Sequence, residues 1–184
     1  WGGGSQVVRQ EFQALQAFGP CELWDRNVLQ GGSDPWGWDE IACKKLIDDP
    51  PGRSWHSVRF AHFYSGSFPQ TAKRLKDQGA FISWTIAAHD KEVSKREHEA
   101  LGLAFPYPHL VDPALWGRYI EGYRLADLII CPGSVPANTV RNYGPEFKDK
   151  RIEIIPHGCE IPVEIKPLPA RFILGYMGSI GVDK

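Results

Sequence analysis

Phe81-Ile82-Ser83-Trp84-Thr85-Ile86-Ala87 is a nearly continuous apolar run, and Ala88-His89-Asp90 follows it directly. A run of this length suits a strand buried on both faces of a parallel sheet. Upstream, Ser57 to Phe63 reads as another strand. The turn-like Tyr64-Ser65-Gly66-Ser67 and a helix over 69–78, stopped by Gly79, link the two. Downstream, Ser94-Lys95-Arg96-Glu97 has the capping-box pattern of a helix start, with Gly102 as the stop. Asp112 before Pro113 places an N-cap ahead of a proline at the first helical position, and Leu115, Trp116, Tyr119, Ile120 and Tyr123 make one apolar face. Leu125 to Cys131 reads as a strand, Ser134 as the cap of a helix closing at Gly144, and Arg151 to Ile155 as a further strand.

Toward the N-terminus the signal thins. Val7, Val8, Phe12, Leu15 and Phe18 fall close to helical spacing, with Gly19-Pro20 as a stop. Cys21 to Asp25 is a short strand by composition, 30–38 a loop and 39–47 a short helix. Strands alternating with helices, with no internal repeat, define an α/β fold: a Rossmann-like three-layer domain with a mainly parallel sheet.

The length of 184 residues fits about one domain plus part of a second. Residues 1–165 read as the main domain, and 166–184 as a linker and the start of another, with Pro162 to Pro169 rich in proline. A strand is expected ahead of Gly2, because glycine-rich turns of this kind follow strands. Phe172 to Met177 is the spare strand expected to pair with the main sheet. Hydrophobic residues at 42% and charged residues at 23% exclude a disordered chain. Lys+Arg 21 against Asp+Glu 22 removes any global electrostatic case for nucleic acid. No apolar run approaches about 18 residues, and no signal-peptide pattern opens the sequence. Cys21, Cys43, Cys131 and Cys159 lack framework or metal-ligand spacing, so they read as free thiols of a cytoplasmic protein.

The chemistry-bearing residues are few. Gly2-Gly3-Gly4-Ser5 precedes a helix, and bare backbone N–H groups at its positive end form a cradle for phosphate. It is not GxGxxG, so a dinucleotide is not expected. His89 and Asp90 follow a buried strand at its carboxyl end, the edge where open α/β sheets collect their ligands. His157, before Gly158, stands at another strand end, whereas His62 lies inside a strand and reads as structural. The histidines show no paired spacing, so no metal is expected. Ser65-Gly66-Ser67 is not a nucleophile elbow.

Five segments, taken in order, resemble the retaining family-4 glycosyltransferases of the GT-B fold. They are Gly2 to Val8, Trp84 to Asp90, Glu121 to Pro132, Ile152 to Cys159, and Phe172 to Gly178 with Lys184. The resemblance implies an N-terminal, acceptor-side domain carrying the first strand of a donor-side domain. It places His89 beside the reaction centre, Gly2, Gly3 and Gly4 near the donor diphosphate and acceptor, and Lys184 on the donor phosphates. Asp90, His157 and Gly158 complete the expected donor and acceptor contacts. Ser179 stands where the family has Arg, and His157 where it often has Asn.

The implied partners are a nucleotide-sugar donor and a sugar, polysaccharide or lipid-linked acceptor, with peripheral membrane contact and either the C-terminal domain or a second copy of the chain. No cofactor and no nucleic acid are expected. The chain alone is expected to be inactive. A non-catalytic sugar- or polyanion-binding module and a nucleotide-sugar epimerase are the alternatives on the same fold.

Overall fold

The computed structural model describes residues 3–19, 35–48, 58–64, 68–86, 91–105 and 112–156. Helix α1 (Gly3–Gln16) is followed by α2 (Pro35–Asp48), β1 (Phe60–Tyr64), α3 (Pro69–Asp77) and β2 (Phe81–Thr85). Then come α4 (Lys91–Ala100), α5 (Pro113–Leu125), β3 (Leu128–Cys131), α6 (Ser134–Arg141), a 3-10 turn (Pro145–Phe147) and β4 (Ile152–Ile154). The four strands lie in chain order, β1-β2-β3-β4, and every neighbouring pair is parallel. Parallel neighbours cannot be joined by a hairpin. Helix α3 therefore lies between β1 and β2 in the chain, α4 and α5 between β2 and β3, and α6 between β3 and β4. The fold is α/β, a Rossmann-like layered domain.

The strand period of 2 divides the sheet into two unlike faces. Phe63, Ile82, Trp84, Ile129, Cys131 and Ile152 share one face and pack with Leu75 of α3, Ile120 and Tyr123 of α5, Val140 of α6 and Phe147. Trp84 is fully buried, stacked on Phe63 at 4.6 Å between centroids and meeting the edge of Tyr123 at 5.7 Å. Gly122 makes room for it, since a Cβ there would stand 2.6 Å from the indole ring. On the other face lie Phe60, His62, Tyr64, Phe81, Ser83, Thr85, Leu128 and Ile130. Helix α1 covers this second face, reaching it through Glu11.

A buried carboxylate fastens the first face. Asp39 of α2 is 0% exposed and accepts from the backbone N–H groups of Gln70 (3.0 Å) and Thr71 (2.9 Å) in the first turn of α3. Thr71 Oγ1 donates to it at 2.7 Å and the Arg118 guanidinium of α5 at 3.1 Å. The helix's own N-cap, Phe68, supplies no side-chain hydrogen bond. Asp39 thus satisfies α3's orphan donors from another helix, with Arg118 balancing its charge.

At the amino ends of the strands Asp127 plays a related part. Its carboxylate accepts from the Ile82 N–H at 2.9 Å and Lys76 Nζ at 2.6 Å, while its own N–H donates to the Ile82 carbonyl at 2.8 Å. Burial alone would raise its pKa. The Lys76 and Ile82 hydrogen bonds and the charges of Lys76 and Lys150 outweigh burial and hold it below 3.8.

Over the described residues the element order agrees with the sequence reading, the strand expected over Cys21 to Asp25 lying outside them, and the boundaries differ in instructive places. Gly79 and Gly102 end their helices at φ +88° and +69°. The Asp112 side chain accepts from the Ala114 N–H at 2.7 Å, with Pro113 first in the helix. Ser94, expected as a cap, lies inside α4, because Lys91-Glu92-Val93 holds nothing to stop the helix starting earlier. Ser134 is the first residue of α6 rather than its cap; extended Gly133 occupies that place without a side-chain bond. Pro35 to Trp38, expected in a loop, open α2, where proline's fixed φ suits the first turn. Leu125 belongs to α5 and not to β3, since the strand begins only after the Asp127 junction with β2.

Among the described residues no helix is long and apolar enough to cross a membrane, and Cys43 and Cys131 are free. Burial raises both thiols, that of Cys131 to about 11. The expected strand over 172–177, the linker, Cys21 and Cys159 lie outside the described residues.

Candidate functional site

The carboxyl ends of the parallel strands form the edge to which the sequence assigned its site. Ile86, just past β2, donates its N–H to the Ile130 carbonyl at 2.9 Å, and Ile155, just past β4, donates to the Cys131 carbonyl at 2.9 Å. The two exits from the sheet are therefore pinned to consecutive residues of β3, about 10 Å apart at roughly two strand spacings. His89 and Asp90 follow the first exit, and His157 and Gly158 the second. These four residues lie outside the described ones, as do Gly2 and Lys184. Gly3 and Gly4, expected in a loop before the first helix, form the start of α1 itself. Helix starts leave backbone donors unpaired, so that end keeps its anion-attracting character even with the glycines inside it.

The described residues also contain a polar cluster that sequence reasoning did not assemble. His62 in the middle of β1 meets Ser83 Oγ of β2 through Nδ1 at 2.7 Å and Glu11 Oε2 of α1 through Nε2 at 3.1 Å. Thr85 Oγ1 donates to Glu11 Oε1 at 3.0 Å. A proton on Nε2 suits the Glu11 contact, with Nε2–H donating to the carboxylate, while the Ser83 hydroxyl, both donor and acceptor, pairs with Nδ1. Burial, then the nearby Glu11 charge, raises the Tyr64 phenol.

Ser83 and Thr85 are 1% exposed, so this is a floor of polar groups beneath a helix. The floor belongs to a cleft of about 330 Å³ whose walls include Leu15, Phe18, Phe60, Leu128, Ile130 and Ile155. A serine beside an imidazole and a carboxylate invites comparison with a hydrolytic triad. Ser83 sits mid-strand between His62 of β1 and Leu128 of β3, so the neighbouring backbone N–H groups serve the sheet and do not form an oxyanion hole. His62 is satisfied at both ring nitrogens, in keeping with a structural histidine. The signal for the cluster was present in β2, where Ser83 and Thr85 alternate with Ile82 and Trp84, but its partner Glu11 lies 74 residues from Thr85.

Among the described residues no group of three or more His, Cys, Asp or Glu is placed to hold a metal ion. No protein-family model, curated protein or solved structure matches the chain.

Proposed function

We propose that this chain is the acceptor-side domain of a retaining glycosyltransferase, which moves a sugar from a nucleotide-diphosphate sugar to an acceptor. The observation that supports it best is the pair of exits at the carboxyl edge. The chain leaves β2 at Ile86 and β4 at Ile155 on either side of β3, at the edge where ligands of open parallel sheets collect, and His89-Asp90 and His157-Gly158 follow those exits in sequence. Glycosyl transfer needs the departing diphosphate stabilised and water kept from an oxocarbenium-like centre. In this reading backbone N–H groups of Gly2, Gly3 and Gly4 and the Lys184 ammonium face the diphosphate, and His89 donates to the donor sugar. His157 and Gly158 line the opposite side of the same edge. A donor-binding domain closing on this edge supplies the second wall, so activity belongs to the joined pair of domains.

The test uses the full-length protein with a panel of nucleotide sugars and acceptors, following nucleoside diphosphate release and product anomeric configuration by NMR. Transfer with retention is expected, and His89→Ala lowers turnover by roughly 10²-fold with an unchanged melting temperature. Unchanged turnover in that variant removes His89 from the chemistry. An epimerised nucleotide sugar formed without acceptor, or sugar binding with no turnover of any donor, overturns the assignment.

A further inference from the structure

We infer that α1 is a cover over the second sheet face, latched by the Glu11 carboxylate, and that it opens separately from the rest of the domain. Its contact stripe is Val8, Glu11, Phe12 and Leu15, at helical spacings of 3, 4 and 7, and all four are only half-buried. None of α1's side chains with described burial is fully buried, and Phe18 just past its end is 92% exposed. A helix holding its place by hydrophobic burial puts its largest apolar residues at the centre of such a stripe. Here Glu11 shares the centre with Phe12, and both are only half-buried.

That carboxylate is well placed to hold. Glu11 uses both oxygens, one on the His62 ring N–H and one on the Thr85 hydroxyl, so it spans β1 and β2. Charge-assisted hydrogen bonds of this kind are about twice as strong as neutral ones. They are also directional, so they let go together once the helix turns. Beneath the helix, the 330 Å³ cleft leaves much of the apolar wall without close packing. Lifting uncovers His62, Ser83 and Thr85 in the middle of an apolar surface, which converts a satisfied internal network into an accessible polar patch. The device depends only on α1 and the sheet, so it stands or falls independently of the glycosyltransferase assignment.

Hydrogen exchange read by mass spectrometry on Glu11→Ala, Glu11→Gln and wild type tests it. Glu11→Ala is expected to speed exchange of amides 9–16 by about tenfold or more, the scale of one lost charge-assisted contact. Peptides covering 81–86 and 128–131 keep the wild-type rate, and binding of an apolar dye such as ANS increases. Glu11→Gln, which still accepts from Thr85, falls between. Thr85→Val, removing a single donor, gives a smaller acceleration confined to the same helix. Acceleration of helix and sheet peptides together overturns the inference by making α1 part of one cooperative unit. Wild-type rates at 9–16 in Glu11→Ala overturn it by showing that the carboxylate does not hold the helix.

Discussion

Two carboxylates fasten helices to the two sides of this sheet, and their surroundings differ. Asp39 is sealed from water, with four donors on its oxygens, among them Arg118, which balances its charge. Glu11 is 26% exposed at the rim of a cleft and holds a helix whose described side chains, from Val8 on, are half-buried at best. Removing a partner from a buried pair leaves an uncompensated charge or orphaned donors, whereas water replaces what a rim residue loses. The same chemical group therefore acts as a keystone on one face and as a latch on the other.

The largest effect is expected at Asp39. Asp39→Ala orphans the Gln70 and Thr71 N–H groups and takes one acceptor from the Arg118 guanidinium, and should cost about 3–5 kcal/mol in urea unfolding. A loss below about 1 kcal/mol would show that water reaches this site and would erase the contrast with Glu11.

A smaller, pH-dependent effect belongs to Asp127, which is 34% exposed and tied to Lys76 and the Ile82 N–H. Its folded-state pKa is depressed, so its contribution is present above 3.8 and fades as the pH falls through the lower folded value. The gap in melting temperature between wild type and Asp127→Asn should be full at neutral pH and close below 3.8. A gap that stays constant with pH would assign the effect to the hydrogen-bond geometry alone.

The contrast between the faces was only half visible in the sequence. The packed face announces itself through local signals: the run around Trp84, the Asp112-Pro113 start of α5, and glycine stops at Gly79 and Gly102. These depend on neighbours a few residues apart. The polar anchors do not. Asp39 meets Thr71 across 32 positions and Arg118 across 79, and Glu11 meets His62 across 51. No spacing rule joins residues that distant; only the assembled fold brings them together. Ser83 and Thr85 were hidden for another reason, since two small polar residues in an apolar run do not interrupt a strand buried on both sides. Local patterns misled at Ser94 and Ser134, where serine carries a cap signature without standing at a helix boundary. The carboxyl edge itself was legible from the strand pattern, whereas His89, Asp90, His157 and Gly158, assigned to it, lie outside the described residues.

Native-state hydrogen exchange of the wild-type chain under increasing denaturant tests the unequal faces most directly. Amides of α1 should exchange through an opening of low free energy and weak denaturant dependence. Amides of Ile82, Trp84 and Ile129 should exchange only through global unfolding. A single isotherm shared by α1 and the sheet at every denaturant concentration would contradict it.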